Sequence, residues 1–559
     1  MRNVKNLFGM AVMATALVAC SSNDDLTSNG KDNVGKTGEA YASFRINLPT
    51  TSGTRAVDPN TGTEFDGGTA AEYEVKNGTI LIFDASTDKF VTSAELGTMN
   101  PWTDVKTNGV TTSAIATVKL SNVTVGGNYN ALVLLNNDVD AATKKVTLPT
   151  TTETYAAWSK AFDKVNAEKY ASTDCIFMAN APRYTGTTEP TTLVKINNVC
   201  ASPEEAQAKA ATVVYVERGL AKVTMKDFTA GGYPIGDGTY AGAKVEIKNW
   251  QLDVTNKSTF PVHQTAGLNS WSEIWNTPRF YDGTNATFKR VYWGVDPNYD
   301  KATYQTLENC KTAFNMITKD KVVGKAGKAH PQYCLENTFD LDNMKQGQTT
   351  RVVFKAKFTP KGFSAPETFY KIGNNTAIWT EKRLKQQIRT VALTAMGITN
   401  ADEQGKYGVD LTKGTNISGK AGQHLVEAAN ITYSGDAASS KVTGKVVNTI
   451  NEKLGLSAEA GISTYLNGEA YYIARIKHFN ELTPWTAGQA YGTDNASFLG
   501  RYGVLRNNWY DLSVTSVSGL GYPDVPEVKP ELPDDENDQY INVEVKILDW
   551  AKRSQSIDL

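Results

Sequence analysis

Polar and apolar residues alternate through Ala40–Leu48, with Ala42, Phe44, Ile46 and Leu48 on one face and Tyr41, Ser43, Arg45 and Asn47 on the other. A period of two predicts a half-buried strand. Further strand signals fall at Thr79–Phe83, Ala114–Leu120 and Tyr129–Leu135, then at Lys244–Thr255, Thr350–Phe358, Ala470–Ile476 and Trp509–Val517. Two stretches carry a helical period instead. Tyr155, Trp158, Ala161, Phe162 and Val165 predict one amphipathic helix. Leu384, Ile388, Val391 and Ala395 predict another over about Thr380–Ala395, an insertion packed on a sheet. The last strand, Tyr540–Trp550, puts Ile541, Val543, Val545 and Ile547 on one face and Asn542, Glu544 and Lys546 on the other. Its phase slips near Leu548, which predicts a bulge.

Breaks in the pattern divide the chain. Ser21–Glu39 is polar and reads as a solvated, disordered tether. Thr50–Gly68 is rich in Thr, Ser, Gly and Pro, and Arg55 stands alone in it as a basic residue that a protease could reach. Thr212–Lys226 restarts the strand pattern, placing a domain boundary near residue 217. Gly521–Gln539 carries Pro523, Pro526, Pro530 and Pro533 among acidic residues and predicts a stiff, extended, poorly packed linker.

Composition changes the picture mainly by exclusion. The 559 residues suggest two to four domains of usual size, and 25 tyrosines with many Val, Thr and Gly favour strands. A formal net charge of -2 supplies no field for nucleic acid, which is excluded as a partner. The start is distinctive: Arg2 and Lys5 precede an apolar run from Leu7 to Ala19, and Leu17-Val18-Ala19-Cys20 closes it. That is the pattern of a lipoprotein signal, with Cys20 the lipidated residue. Asn23-Asp24-Asp25 resembles the acidic export tag of surface lipoproteins in Bacteroidetes, and a solvated linker would look the same.

The candidate chemistry is sparse. Export would place Cys175, Cys200, Cys310 and Cys334 where disulfides persist; closeness in sequence pairs Cys175 with Cys200 and Cys310 with Cys334, and buried free thiols fit equally. His263, His330, His424 and His478 are scattered without metal-ligand spacing. Ser86-x-x-Lys89 and Lys36-Thr37-Gly38 echo two penicillin-binding signatures in the wrong order and read as chance. No nucleophile elbow, phosphate-binding loop or paired-cysteine zinc spacing is present. A glycosidase carboxylate pair needs no fixed spacing and stays open, although ordinary surface carboxylates explain the same residues. The expectation is no catalytic residue, no metal and no cofactor.

Several runs together resemble the short (minor) fimbrillins of Bacteroidales. They are Leu17–Cys20, Trp250–Lys257, Arg290–Tyr299, Tyr333–Thr338, Arg475-Ile476-Lys477-His478-Phe479, Arg506-Asn507-Asn508-Trp509-Tyr510 and the closing strand through Trp550. The likeness spans nearly the whole chain and weakens in the loops between these runs. It implies a stalk subunit of a type V pilus: a mainly β protein with two transthyretin-like antiparallel sandwich domains, small helical insertions and a C-terminal donor strand. The implied organisation is a signal peptide over 1–20, a tether and removable strand over 21–55, sandwich domains over 56–216 and 217–522, and a linker with donor strand over 523–559.

The resemblance also implies a life history. A lipidated, palmitate-bearing precursor reaches the outer membrane, and an Arg-specific protease cuts between Arg55 and Ala56. The strand bearing Ala42, Phe44, Ile46 and Leu48 then leaves, and Ile541, Val543, Val545 and Ile547 of a neighbouring copy fill the groove. Partners would be identical subunits, fimbrial tip and anchor proteins, and host or bacterial surface receptors, in adhesion and biofilm formation. From the residues alone, the last strand either donates to a neighbour or completes its own domain's sheet. A tip or surface-anchored adhesin and a secreted carbohydrate-active enzyme are the competing functions.

Overall fold

The structure, a computed structural model, describes residues 37–48, 69–97, 113–138, 142–184, 190–266, 289–291, 293–300, 304–478, 499–534 and 541–549. Strands of the first half form where expected at β1 Thr37–Asn47, β2 Gly78–Asp84, β4 Ser113–Thr124 and β5 Tyr129–Leu135, and a strand without a sequence signal, β3 Phe90–Glu95, joins them. Two more, β6 Met178–Asn180 and β7 Thr212–Arg218, complete the path of a sheet ordered β3-β2-β5-β6-β7-β1-β4, with Val194–Lys195 pairing β5 beside it. Because side chains point to opposite faces in turn, β2 feeds two cores. Ile80 and Ile82 join Phe44, Val118, Val133 and Val214; Leu81 and Phe83 pack with Trp158, Tyr170 and Phe177 on the other face. β1 begins at Thr37, inside the stretch expected to be tether; Glu39 there pairs with Lys119 of β4 at 2.6 Å.

The first predicted helix is broken into single turns. Thr154 caps Tyr155–Trp158, Ala161 leaves helical geometry at φ -92°, ψ 87°, and a 3-10 turn at Phe162–Lys164 precedes a second turn, Ala167–Tyr170, capped by Asn166. Two competing caps within 12 residues outweigh a stripe of apolar positions. Trp158 and Tyr170 are buried, but Phe162 is 54% exposed, so the stripe does not form one face.

At Gly219 the chain passes from the first sheet into the second half, where β8 Leu220–Met225 starts. A side chain at 219 would lie 2.3 Å from the Tyr170 hydroxyl, so only glycine fits the crossing. The remaining long strands are β9 Lys244–Asp253, β10 Gln332–Leu335, β11 Arg351–Thr359, β12 Glu469–Arg475, β13 Asn508–Val517 and β14 Ile541–Asp549. They form two four-stranded sheets, β10-β8-β13-β14 and one ordered from the short strand Tyr233–Pro234 through β9, β11 and β12. Val223, Tyr510 and Leu512 of one and Trp250, Phe354 and Tyr472 of the other share a single apolar core. The protein is mainly β, as its composition predicts.

β11 and β12 are direct neighbours, with Lys357 opposite Glu469, and the chain between them builds a separate lobe. Its helix Glu381–Met396 starts where predicted, capped by Thr380, and ends on Gly397 in the left-handed conformation at φ 66°. Leu384 and Ile388 are fully buried against Tyr407, Ile450 and Ile462. The helix packs on a second helix, Gly444–Lys453, as well as on the small sheet that contains Phe369–Ile372 and Ile462–Tyr465.

Two expectations near the C-terminus are corrected. The proline-rich segment is not loosely packed: Val525 and Val528 are buried, Tyr522 and Tyr471 exchange two backbone hydrogen bonds of 2.8 Å, and Arg351 Nη2 donates to Pro526 O at 2.7 Å. Proline forbids a ladder but not burial, and the carbonyls find donors on the body. The bulge lies on β13 between Val514 and Ser516, not on β14 near Leu548.

Leu384→Ala should lower the unfolding free energy of the lobe by about 2–5 kcal/mol, whereas Lys382→Ala on the exposed face should change it by less than about 0.5 kcal/mol. Amide exchange resolved along the chain checks this, with β11 and β12 amides keeping their protection in both variants.

Candidate functional site: the first and last strands

β1 is an interior strand. It pairs antiparallel with β4 over its full length, from Thr37 opposite Thr124 to Asn47 opposite Ser113, with one register shift at Gly38/Glu39. On its other side Phe44–Asn47 pair in parallel with Thr212–Tyr215 of β7. Tyr41 and Cys200 exchange backbone hydrogen bonds of 2.9 and 2.8 Å further up. Ala40, Ala42, Phe44 and Ile46 are fully buried and Leu48 nearly so. The opposite face is covered in part: Ser43 Oγ donates to Ala206 O at 2.8 Å from the short helix Pro203–Ala208, while Arg45 is exposed.

At roughly 1.5–3 kcal/mol per large apolar side chain, Phe44, Ile46 and Leu48 make this strand a major part of the first core. The predicted removable face is therefore assembled as one surface. Without it, β4 and β7 would present open backbone edges flanking an apolar channel.

β14 stands at the edge of its sheet, antiparallel to β13, with Val545 opposite Leu512 and Val543 opposite Val514. Ile541 and Val545 are buried in the sandwich core and Val543 packs against it. In the single chain the last strand thus completes its own sheet, one of the two placements its residues left open. The segment before it is fixed as far as Asp534, whose carboxylate accepts from Thr349 Oγ1 at 3.0 Å. Cys20, Arg55 and Ala56 lie outside the described residues.

Of the two readings of the cysteines the structure shows the unpaired one, and the pairings of Cys175 with Cys200 and Cys310 with Cys334 are not formed: all four are buried free thiols. Cys310 Sγ faces Tyr304 O at 3.2 Å beside Val254 and Phe314, while Cys334 belongs to the sandwich core, so the candidate pair is split between two clusters. Burial pushes these thiols up, to about 11 for Cys310 and about 12 for Cys334, and neither offers a thiolate. Among the described residues no group of three or more His, Cys, Asp or Glu could hold a metal. No described helix is long and apolar enough to cross a membrane.

Sequence reasoning missed a network of buried polar residues that runs through the second half and crosses to the first at Tyr170 and Glu217. Glu336 pairs with Arg506 at 3.2 Å, Arg506 reaches the Tyr170 hydroxyl at 3.4 Å, and Glu217 meets His263 Nδ1 at 2.6 Å. Asp253 pairs with Arg351 at 2.8 Å. Asp296 accepts from the backbone N–H groups of Thr338 and Asn298, each at 2.7 Å, and from Asn256 Nδ2 at 2.8 Å. Most of these residues come from the short runs Trp250–Lys257, Arg290–Tyr299, Tyr333–Thr338 and Arg506–Tyr510. Charged and amide residues clustered in apolar surroundings were the available signal. Each carboxylate is engaged internally, an arrangement that fixes loops in place.

Residues 463–556 match the family model described as major fimbrial subunit protein type IV, fimbrillin, C-terminal. The matched span contains β12, β13 and β14. Among solved structures, a fimbrial assembly protein from Parabacteroides distasonis ATCC 8503 is similar at 14% identity and a TM-score of 0.26, covering 58% of this chain and 86% of that chain. No curated protein matches the chain.

Two expectations follow. Phe44→Ala should cost about 3–5 kcal/mol in chemical denaturation, and Val545→Asp several kcal/mol by burying a carboxylate, the first loosening the β1–β4 amides and the second those of β13. Burial lifts the Asp296 carboxyl to about 7 against hydrogen bonds that favour ionisation. Because that folded value lies above the ordinary 3.8, its contribution is complete below about pH 4 and is lost as pH rises through about 7. Stability titrations should show this component in the parent and lack it in Asp296→Asn.

Proposed function

We propose that this chain is a structural subunit of a bacterial surface fimbria that polymerises by strand exchange after export as a lipoprotein through Cys20 and cleavage after Arg55. One observation carries the reading: β1 is an interior strand held on both sides, and it is followed by a stretch with a lone arginine. The match of residues 463–556 to a fimbrillin C-terminal region, β14 included, supports it.

The driving force is an asymmetry of edges. At home β14 pairs with β13 alone. In a vacated groove the same strand would pair with β4 and β7 together while burying Ile541, Val543, Val545 and Ile547 in place of Ala42, Phe44, Ile46 and Leu48. Ile541 and Val545 are already buried at home, so it is the additional backbone pairing that would favour the groove once β1 has gone. In this reading residues 56–216 and 217–522 are the two domains, the polymer is built of identical subunits, and tip, anchor and receptor contacts belong to other surfaces. The chain acts as a structural protein without catalysis.

The home position of β14 favours one second reading, in which the strand only completes its own sheet and the chain is a terminal or surface-anchored adhesin. Treating purified chain from residue 21 onward with an arginine-specific protease separates the two. Loss of the segment up to Arg55 should produce ladders that resist mild denaturant, and Val545→Asp should be cut equally well yet stay monomeric. Ladders from uncut chain, or from cut Val545→Asp, would overturn strand exchange.

A further inference from the structure

Glu72 sits in the one-turn helix Ala70–Tyr73, in the first described stretch after residues 49–68, and is 1% exposed. Lys222 of β8 reaches its two carboxylate oxygens at 2.7 and 3.1 Å, and the Tyr333 hydroxyl of β10 donates to the same group. Thr69 N closes the turn onto Oε2 at 2.7 Å. The Glu72 carbonyl accepts from Arg218 Nε, at the end of β7, at 2.7 Å. Neighbouring residues fasten the segment to the first half: Ile176 N donates to Ala71 O at 3.3 Å, Asn136 Nδ2 to Glu74 O at 2.8 Å, and Lys76 N to Asn136 Oδ1 at 2.8 Å. Lys222 also lies 3.8 Å over the ring of Trp509.

Residues 69–76 therefore touch both halves, and the charges are of a kind that stay together. The side chains of Lys222 and Glu72 are 3% and 1% exposed, so separating them would strand a charge in a medium that cannot solvate it. The contacts just named involve none of residues 37–48.

We infer that residues 69–76 are a latch, with Glu72 as its charged pin, that holds the second half and the β7 wall of the groove in place independently of β1. A cut between 49 and 68 leaves every one of these contacts intact. The occasion for such a latch rests on the cleavage reading above; its geometry does not. When the first strand leaves, the latch keeps one wall of the opening anchored to β8 and β10, so the groove stays open and in register. An unlatched wall could instead collapse onto the exposed apolar channel.

Hydrogen exchange on the whole chain, before and after cleavage with an arginine-specific protease, tests the inference. The amides of Glu72, Lys76 and Ile176 should exchange at least about 100-fold more slowly than in an unstructured peptide, and cleavage should change them less than about threefold. Loss of their protection on cleavage overturns the latch, whether or not ladders form, and so is distinguishable from failure of strand exchange. Lys222→Met, a change in the second half only, should speed exchange at Ile176 in the first half by about tenfold or more. The double variant Glu72→Gln/Lys222→Met should recover most of that loss, because no buried charge is left alone. If Lys222→Met folds and leaves Ile176 unchanged, the latch is wrong; if it does not fold, the exchange of the cleaved parent decides.

Discussion

A strand in the middle of a sheet is held twice, and this constraint on β1 governs the rest of the molecule. Its N–H and C=O groups pair with β4 on one side and with β7 and Cys200 on the other, while Ala42, Phe44, Ile46 and Leu48 fill the space beneath. An edge strand can fray at the cost of one ladder. An interior strand leaves two open edges and a dry channel, and water cannot satisfy the first without flooding the second. The first half therefore depends on β1 for two ladders and a large share of its core.

The same demand explains why so much charge is buried between the halves. Apolar contacts alone, such as Leu220 and Trp509 against Phe83 and Trp158, tolerate sliding, because dispersion has little directionality. Arg506 between Glu336 and Tyr170, Glu217 on His263, and Glu72 on Lys222 each fit in one geometry only. Buried ion pairs often add little net stability over apolar replacements, yet breaking one costs about 3–5 kcal/mol. Their effect is to make intermediate orientations expensive, so the two halves hold one arrangement.

The parts legible in the sequence were those where one local signal met no rival. β1 and β4 follow from alternation, β2 and β5 from short apolar runs buried on both faces, and the lobe helix follows from Leu384 and Ile388 with Thr380 before them and Gly397 after. Where signals competed, the pattern misled. Thr154 and Asn166 start separate turns, so the apolar stripe through Phe162 never becomes a helix face. The prolines at 523, 526 and 530 rule out a strand but say nothing about burial, and Val525 and Val528 settle that point by packing inward. The polar network was invisible because its partners are remote in sequence: Glu72 and Tyr333 are 261 residues apart, and Tyr170 and Arg506 are 336 apart. No periodicity encodes such a pairing.

The corrected linker sharpens how strand exchange can work. If Gly521–Gln539 were free, β14 could search a wide volume, and the choice of acceptor would be left to chance. With the chain pinned at Asp534 by Thr349 and Met344, only the residues up to Ile541 separate the strand from a fixed point. At no more than about 3.6 Å per residue, that span reaches roughly 25 Å. Contour length then selects the acceptor: a groove within that radius can be filled, and one beyond it cannot, however well its side chains match. The proline-rich segment thus acts as a spacer bonded to the body rather than as a free tether. On the strand-exchange reading proposed above, it would set the distance between neighbouring subunits, leaving the alternating side chains of β14 to set the register.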